Sequence, residues 1–405
     1  MSTWKTKVLA DLVYFNPESI GKKYNYKQIH YLDISSVGTG VADFKNVIVI
    51  NVAPSRAKRI VKPNDTIIAT VRPVNRSFYY LNNFPENTIV STGFAVLRPK
   101  ADLINSRFLF YVISNETFTS FLVANEQGAN YPAVTPEIIG RAEIILPPLK
   151  TQKRIASILS AYDDLIENNS KRIKLIEEIA QRTYEEWFVK FRVNGEQLSI
   201  DEATGLPVGW KQITVNDYAE VIGKGPSLNY DFQGQKYPVI NQSCVRNGEI
   251  ELEKVLYAQE LNANKEYCYL KTNDILINSM GQGTLGRVSK NVSIRNERFI
   301  IHNCITFLRA KKELSQFQLY YFISSKQSYF ISVSQGSTGQ TTLKQSLVGD
   351  LEINLPTNSI LNSFNNIIEP IWNQMGVLKN QNSSLKQSRD ILLSRLMSGT
   401  INVES

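Results

Sequence analysis

Two stretches of the chain place apolar residues at alternating steps of three and four. The first runs Ile155, Leu159, Tyr162, Ile166, Asn169, Ile173, Ile176 and Ala180, lapses at Thr183 and resumes at Trp187. The second runs Leu361, Phe364, Ile368, Ile371, Met375, Leu378, Asn382, Leu385, Arg389, Leu392 and Leu396. Such steps mark the narrow seam of a coiled coil, not the broader stripe of a surface helix. Each stretch follows a strand-like run that stops at proline, "AEIILPPLKTQKRI" and "LEINLPTNSILNSF". The pattern therefore predicts a long helix over 151–192 and another over 357–399. Pro370 should kink the second or mark a late start. About forty residues make a rod of roughly 60 Å, longer than a 150-residue domain is wide. Two such rods in one chain can pair; the alternative is that each packs only on its own domain. Each seam holds one asparagine near its middle, a substitution that costs stability and can fix register.

The remaining pattern is mixed. "DTIIATV" and "TIVSTGFAVLR" read as strands, short, β-branched and bounded by turn residues. "SRFLFYVISNETFTSFLV", Ser106 to Val123, reads as one helix with Phe108, Tyr111, Val112, Phe118 and Leu122 on one side. Its counterpart is "SQFQLYYFISSKQSYFISV", from Ser315. These segments belong to a tandem repeat. "WKTKVLADL" at Trp4 returns as "WKQITVNDY" at Trp210, "KPNDTIIATV" at Lys62 as "KTNDILINSM" at Lys271, "AVLRPK" at Ala95 as "TFLRAK" at Thr306, and "IIGRAEIILP" at Ile138 as "LVGDLEINLP" at Leu347. The order is kept at an offset of about 206 to 211, too long a period for a solenoid. The expected fold class is α+β: two similar globular domains, 1–150 and 210–356, separated by two long helices forming an antiparallel coiled coil. A polar, turn-rich linker covers 193–209 and a short tail 400–405.

Charge changes this picture modestly. Lys plus Arg number 45 against 37 Asp plus Glu, a net charge of +8. That surplus favours a polyanionic partner without requiring one. Cys244, Cys268 and Cys304 form no close pair and read as reduced thiols of a cytoplasmic protein. "MSTWKTKVLADLV" lacks the apolar core of a signal peptide, and no window approaches the roughly 18 apolar residues of a membrane span. His30 and His302 do not correspond under the repeat and have no metal-ligand spacing. Phosphate-loop, zinc-protease and nucleophile-elbow motifs are missing. The [DNS]-P-P-[YFW] pattern of amino-methyltransferases is missing too. "GQGTLG" at Gly281 matches a dinucleotide fingerprint, but "RVSKNVSI" after it looks like strand, where that fingerprint needs a helix.

Several stretches suit nucleic acid. "APSRAKRIVK" carries Arg56, Lys58, Arg59 and Lys62 with no acid: a phosphate-contacting patch or a solvated basic face. "TVRPVNRSFYY" offers Arg72 and Arg76 beyond a strand. At the corresponding place in the second copy, the glycine-rich turn with Gly283 and Thr284 could bring Arg287 to a phosphate or base, with Lys290 beyond, or be a structural hairpin. "EQGANYPAVT", with Gln127, Asn130 and Tyr131, and "SQGSTGQTTLK", with Gln335, Ser337, Thr338, Gln340, Thr341 and Lys344, occupy equivalent positions after the domain helix. Their amides and hydroxyls can reach base edges, although turn chemistry alone favours the same residues. Asp163-Asp164 reads as an exposed acidic face.

Together the openings at Trp4 and Trp210, "LPPLKTQKRIASILSAYDDLIE", "RTYEEWFVKF", "GLPVGWK" and the C-terminal "LKQSRDILLSRLMSGTI" resemble the specificity subunit of Type I restriction–modification systems. The resemblance covers essentially the whole chain, although "LPTNSILNSF" lacks the PLxxQxxI pattern present at Pro148. It implies two target recognition domains on double-stranded DNA and a helical spacer that seats two copies of a methyltransferase subunit. It also implies no catalytic, metal or cofactor site on this chain. S-adenosylmethionine would be bound by the partner, and ATP and Mg by a restriction subunit if one is present. Two unlike readers on a rigid spacer should read an asymmetric bipartite target, with half-sites about 34 Å apart if the gap is one helical turn. The competing readings are a coiled-coil scaffold for protein partners, which would show no salt-sensitive DNA retention, and an enzyme with an unrecognised site, which would turn over alone.

Overall fold

A computed structural model of the chain describes residues 4–21, 24–128, 130–231, 233–234, 236–246, 248–260, 266–281, 283–292, 298–334, 342–401 and 403. The chain divides into two compact units, Met1–Glu167 with Ser384–Ser405, and Asn168–Ser383. In the first, an antiparallel sheet runs Val13–Phe15, Phe94–Pro99, Thr66–Ala69, Phe78–Tyr80. Another runs Val47–Val49, Gln28–Leu32, Thr88–Ser91, Ala57–Ile60, with its central pair parallel. Lys5–Val8 pairs separately with Glu143–Leu146. The second unit repeats this order. Its antiparallel sheet is Ala219–Lys224, Ile305–Ala310, Ile275–Asn278, Val288–Lys290. Leu256–Ala258, Tyr237–Ile240 and Ile300–Ile301 follow, again with one parallel pair, but among the described residues a single bridge, Tyr269 to Ile300, stands in place of the fourth strand. Lys211–Thr214 pairs with Glu352–Leu355. The duplication read from sequence is thus a duplication of topology.

One ion pair recurs in both copies. Arg98 donates from Nε and Nη2 to the two oxygens of Asp65, both at 2.9 Å. Arg309 does the same to Asp274 at 2.7 and 2.8 Å. Each aspartate also accepts the backbone N–H of the lysine that opens its motif, Lys62 or Lys271, at 2.8 Å. The fork matches guanidinium to carboxylate, and the extra amide satisfies a remaining lone pair, which burial requires. This is the chemistry behind the repeated "KPND"/"KTND" and "LRPK"/"LRAK" stretches.

The domain helix breaks where one continuous helix was expected. Ser106–Ser114 and Glu116–Ala124 meet at Asn115, whose side chain accepts from Thr117 N at 2.9 Å and so caps the second helix. An internal asparagine that finds a backbone donor favours a new start over continuation. The second copy breaks likewise, into Gln316–Ser325 and Gln327–Ser334.

The central helix spans Leu149–Tyr184 and ends in a π-helical turn, Glu185–Val189. Its start is tied down by Gln152 of the PLxxQxxI stretch. That amide accepts from Asn105 N at 2.8 Å and donates to Pro147 O at 2.9 Å. The second copy, which has leucine at that place, uses Ser315 bonded to Asn365, and Gln318 donating to Asn354 O at 2.8 Å. The C-terminal helix spans Asn358–Met397 with Pro370 inside it, so the late start is overturned. Pro370 and Asn366, whose carbonyl lacks its usual donor, are both exposed. Water can satisfy that carbonyl, while buried Phe364, Ile368 and Trp372 hold the turns on either side.

Both helices pair antiparallel within each unit. In the second unit Asn169 meets Asn382, and Phe188 meets Phe364 with centroids 4.7 Å apart. In the first, Asp163 meets Arg389, while Ile155 and Leu159 share a core with Leu393 and Leu396. Each helix also buries part of its length in a domain core, so pairing and packing on a domain coexist. Most residues of the expected seam are buried, including Ile155, Leu159, Asn169, Ile173, Ile368, Met375, Leu378 and Asn382. Tyr162, Ile166, Ile176, Leu385 and Leu392 are half-buried. Ile371 is half-buried against the same core, while its neighbour Trp372, 1% exposed, lies deeper, and Tyr184 fills the lapse at Thr183. The Asp163-Asp164 reading is also corrected for Asp163. It accepts from Tyr111 Oη at 2.6 Å, Arg107 Nη2 at 3.2 Å and Arg389 Nη1 at 2.7 Å.

Candidate nucleic-acid interface

In the first unit, backbone bonds draw three sequence-distant loops together. Thr92 N donates to Arg56 O at 2.8 Å, and Thr70 N to Gly93 O at 2.8 Å. Val134 N donates to Thr70 O at 2.7 Å, and Arg72 N to Pro132 O at 2.7 Å, with Val71 bridged to Ala133. The basic stretch at Arg56, the turn at Arg72 and the loop holding Gln127, Asn130 and Tyr131 therefore form one surface. Arg72 lies over the exposed Tyr131 ring at 5.5 Å from its centroid. Arg56, Lys58, Gln127 and Asn130 are exposed beside them. Cations with an exposed aromatic and amides offer phosphate contacts and base-edge donors together.

Not every candidate joins this surface equally. Arg59 is half-buried and donates from Nη2 to Thr92 O at 3.3 Å. Arg76 turns back to the domain helix, giving Nη2 to Ser114 O at 2.7 Å. Arg72 and Arg76 both hold left-handed backbone conformations, φ 46° and 53°. Side chains occupy that region only at a cost, and such strain gathers at functional turns.

The second unit repeats the links made at Thr70 and Val71. Ser279 N donates to Cys304 O at 2.8 Å, Leu343 N to Ser279 O at 2.9 Å, and Met280 bridges Thr342. Here glycines take the left-handed positions, Gly281 at φ 105° and Gly286 at 81°, with Gly283 at 73°. "GQGTLG" is thus the turn joining Ile275–Asn278 to Val288–Lys290, the counterpart of the Arg72–Arg76 turn. Thr284 closes it through Oγ1 to Gly281 O at 3.2 Å, and Arg287 gives Nη2 to Gly283 O at 2.9 Å. Lys344 is exposed next to the junction. Gln335, Ser337, Thr338, Gln340 and Thr341 lie outside the described residues.

Lys290 is a correction. Its side chain is 2% exposed and its Nζ meets Glu177 Oε1 at 2.7 Å, so it is not available to DNA. Strand alternation hid this, because the position is flanked by polar residues that read as surface. Lys224 was missed: it closes a strand and gives Nζ to Leu343 O at 3.4 Å, beside the junction. Burial pulls its ammonium below the usual lysine range. The three cysteines are free and buried. His30 gives a structural contact to Phe44 O at 2.7 Å. Among the described residues no cluster of three or more His, Cys, Asp or Glu is placed to hold a metal. No helix among them is long and apolar enough to cross a membrane.

A duplicated α+β reader with paired helices defines the class, and the comparisons agree. The Type I restriction modification DNA specificity domain matches residues 1–178 and again 207–387, one match per repeat. The chain is 24% identical to the Type I restriction enzyme HindI specificity subunit of Haemophilus influenzae, over 99% of this chain and 100% of that protein. It is 26% identical to the MjaIX specificity subunit of Methanocaldococcus jannaschii, over 84% and 79%. The solved S subunit from M. genitalium shares the fold, with a TM-score of 0.55 at 15% identity, covering 97% of this chain and 96% of that one. The chain belongs to the Type I restriction modification DNA specificity family and is a DNA sequence-specificity subunit.

Proposed function

We propose that each unit's loop junction reads one half of an asymmetric, two-part DNA target, and that the paired helices fix the unread gap. The observation that carries this reading is the junction itself. Both repeats build it from equivalent backbone bonds, yet the side chains it presents differ, Arg72 and Tyr131 in one and Thr284, Arg287 and Lys344 in the other. A shared frame with unlike side chains suits two readers of unlike sequence. Methyl transfer from S-adenosylmethionine then falls to copies of a modification subunit, two by the symmetry of the repeat. Cleavage falls to an ATP- and Mg-dependent restriction subunit. This chain contributes recognition and no chemistry. Leu175 and Ile179 on the central helix and Val377 on the C-terminal helix are more than half exposed, which supports helix-borne docking of those subunits.

Sequencing methylated sites in a host with and without the gene tests this directly. Exchange of residues 1–150 for those of another family member should alter one half-site only. Inserting one heptad in both helices should alter the gap and leave both half-sites intact. A change in the half-sites after the heptad insertion would refute the division of labour. Binding should weaken steeply with salt, because phosphate contacts release counterions.

A further inference from the structure

Lys290, removed from the DNA surface, lies in an unusual setting of its own. Its ammonium sits 4.2 Å from the Tyr320 ring centroid, 5.2 Å from Trp372 and 5.7 Å from Tyr321. Tyr320 and Tyr321 belong to the domain helix Gln316–Ser325, and Trp372 to the C-terminal helix. The ammonium's charge partner, Glu177, comes from the central helix. A reciprocal contact runs the other way: Lys379 of the C-terminal helix meets Glu249 of the domain at 3.1 Å. Ser289 Oγ donates to Glu249 O at 2.7 Å and Lys290 N to Gly248 O at 3.3 Å, so both contacts spring from one small piece of the domain. Close by, Val292 O lies against Gly376 of the C-terminal helix, where a Cβ would come within 2.1 Å of it. Glycine is required there because backbone meets backbone. Among the described residues Glu177, Glu249, Lys379 and the three aromatics face Lys290, and Lys174, Glu178, Arg182 and Glu185 of the central helix line the same cavity. Burial lowers the affinity of Lys290 for its proton, and Glu177 opposes that shift.

This seat is a costly way to hold a domain on a helix. An apolar residue would bury as well without desolvating an ion, so directional contacts are retained for geometry as much as for stability. The first unit solves the same problem with different residues, Arg107 and Tyr111 of the domain helix and Arg389 of the C-terminal helix converging on Asp163 of the central helix. In each unit one carboxylate of the central helix takes a domain cation.

We propose that Lys290, Glu177, Lys379, Glu249 and Gly376 form a positioning seat that sets the angle at which the second recognition domain is held on its helices, and hence the gap length the protein accepts. Lys290 is a positioning residue that touches no base or phosphate. The inference rests on the two-part-target reading above. One base pair added to the gap moves a half-site by about 3.4 Å and turns it by about 35°, so a loosened seat should be read out as tolerance of that change.

The test uses the full chain assembled with its modification subunit and the target found by methylation sequencing. Affinity is measured on duplexes with the native gap, with a gap one base pair shorter or longer, and with one half-site base changed. Wild type should lose tenfold or more, about the cost of one wrong base, for either change. In Lys290→Met and Gly376→Ala the gap penalty should shrink to within about threefold, while the half-site penalty stays as in wild type. Glu177→Gln, which keeps an acceptor for Lys290, should shift the same way and serves if Lys290→Met does not fold. An unchanged gap profile in the folded variants overturns the seat. So does a salt slope reduced by about one with the gap profile intact, which would make Lys290 a phosphate contact. If wild type itself shows no sequence-dependent binding, the two-part-target reading fails first and the seat with it.

Discussion

Asn169 and Asn382 face each other in the seam, Asn169 Nδ2 donating to Asn382 Oδ1 at 3.0 Å, with the residues 2% and 9% exposed. Asn382 Nδ2 gives its own bond to Ser170 Oγ at 3.2 Å. Asn169→Leu leaves the Asn382 carbonyl buried without that donor, which costs about 1–3 kcal/mol. Burying a leucine in its place returns a similar amount at most, about 1.5–3 kcal/mol, if it packs without strain. Each single leucine variant should therefore fall between neutral and about 2 kcal/mol destabilised. The double variant leaves no orphaned amide in the seam and should be more stable than either single, with a coupling of about 1–3 kcal/mol. Trp187, Trp210 and Trp372 all lie in the second unit, as does the asparagine pair, so urea unfolding followed by tryptophan fluorescence reports on the right structure. Additive single effects, or a double variant weaker than both singles, would refute the reasoning. The double variant should also accept a wider range of gap lengths, because a polar pair in a seam specifies register more than it stabilises.

Three further outcomes can be checked. Arg309→Met strands Asp274, whose side chain is 2% exposed, and should cost the second unit about 3–5 kcal/mol in denaturant unfolding; a loss below about 1 kcal/mol would show that the fork is dispensable. Arg72→Gly relieves a left-handed side chain but adds chain entropy, so stability should move by under about 1 kcal/mol; DNA affinity should fall and the salt slope drop by about one, and unchanged binding would remove Arg72 from the interface. Glu18 is held below its ordinary range by Lys62 and Arg98. Its folded value lies below the unfolded one, so its contribution is present above about pH 4.3 and disappears as pH falls through the folded value. Glu18→Gln should flatten the acid limb of first-unit unfolding, and an unchanged limb would contradict the assignment.

The duplication was legible because matching stretches recur in one order, and the topology follows them except at the strand Ala57–Ile60, where among the described residues the second unit has only the bridge of Tyr269 to Ile300. The helices were legible from their seams, though not every member of those seams. Ile371 and Trp372 both pack on the core, and an α-helix drifts against a strict seven-residue repeat, so periodicity alone could not tell that Trp372 is the deeper of the two. The break at Asn115 was hidden because apolar spacing continues across it; the capping bond decides. Asp163 and Lys290 were misplaced for one common reason. Charge reads as surface in a sequence, and only tertiary partners reveal an ion that has been taken out of water. The loop junction was half legible: its residue types stood out, but their convergence depends on backbone bonds between segments far apart in the chain, such as Thr70 with Gly93 and with Val134.

Under the proposed two-part-target reading, the paired turns at Arg72–Arg76 and Gly281–Gly286 have a consequence for how such a protein acquires a new target. The turn carries arginines in one copy and glycines in the other at positive φ, in domains that share the Arg–Asp fork. Chemistry at the tip can therefore be rewritten while the rest of the domain keeps its fold, and each half can be rewritten without consulting its twin. A molecule built this way can change its vocabulary one word at a time.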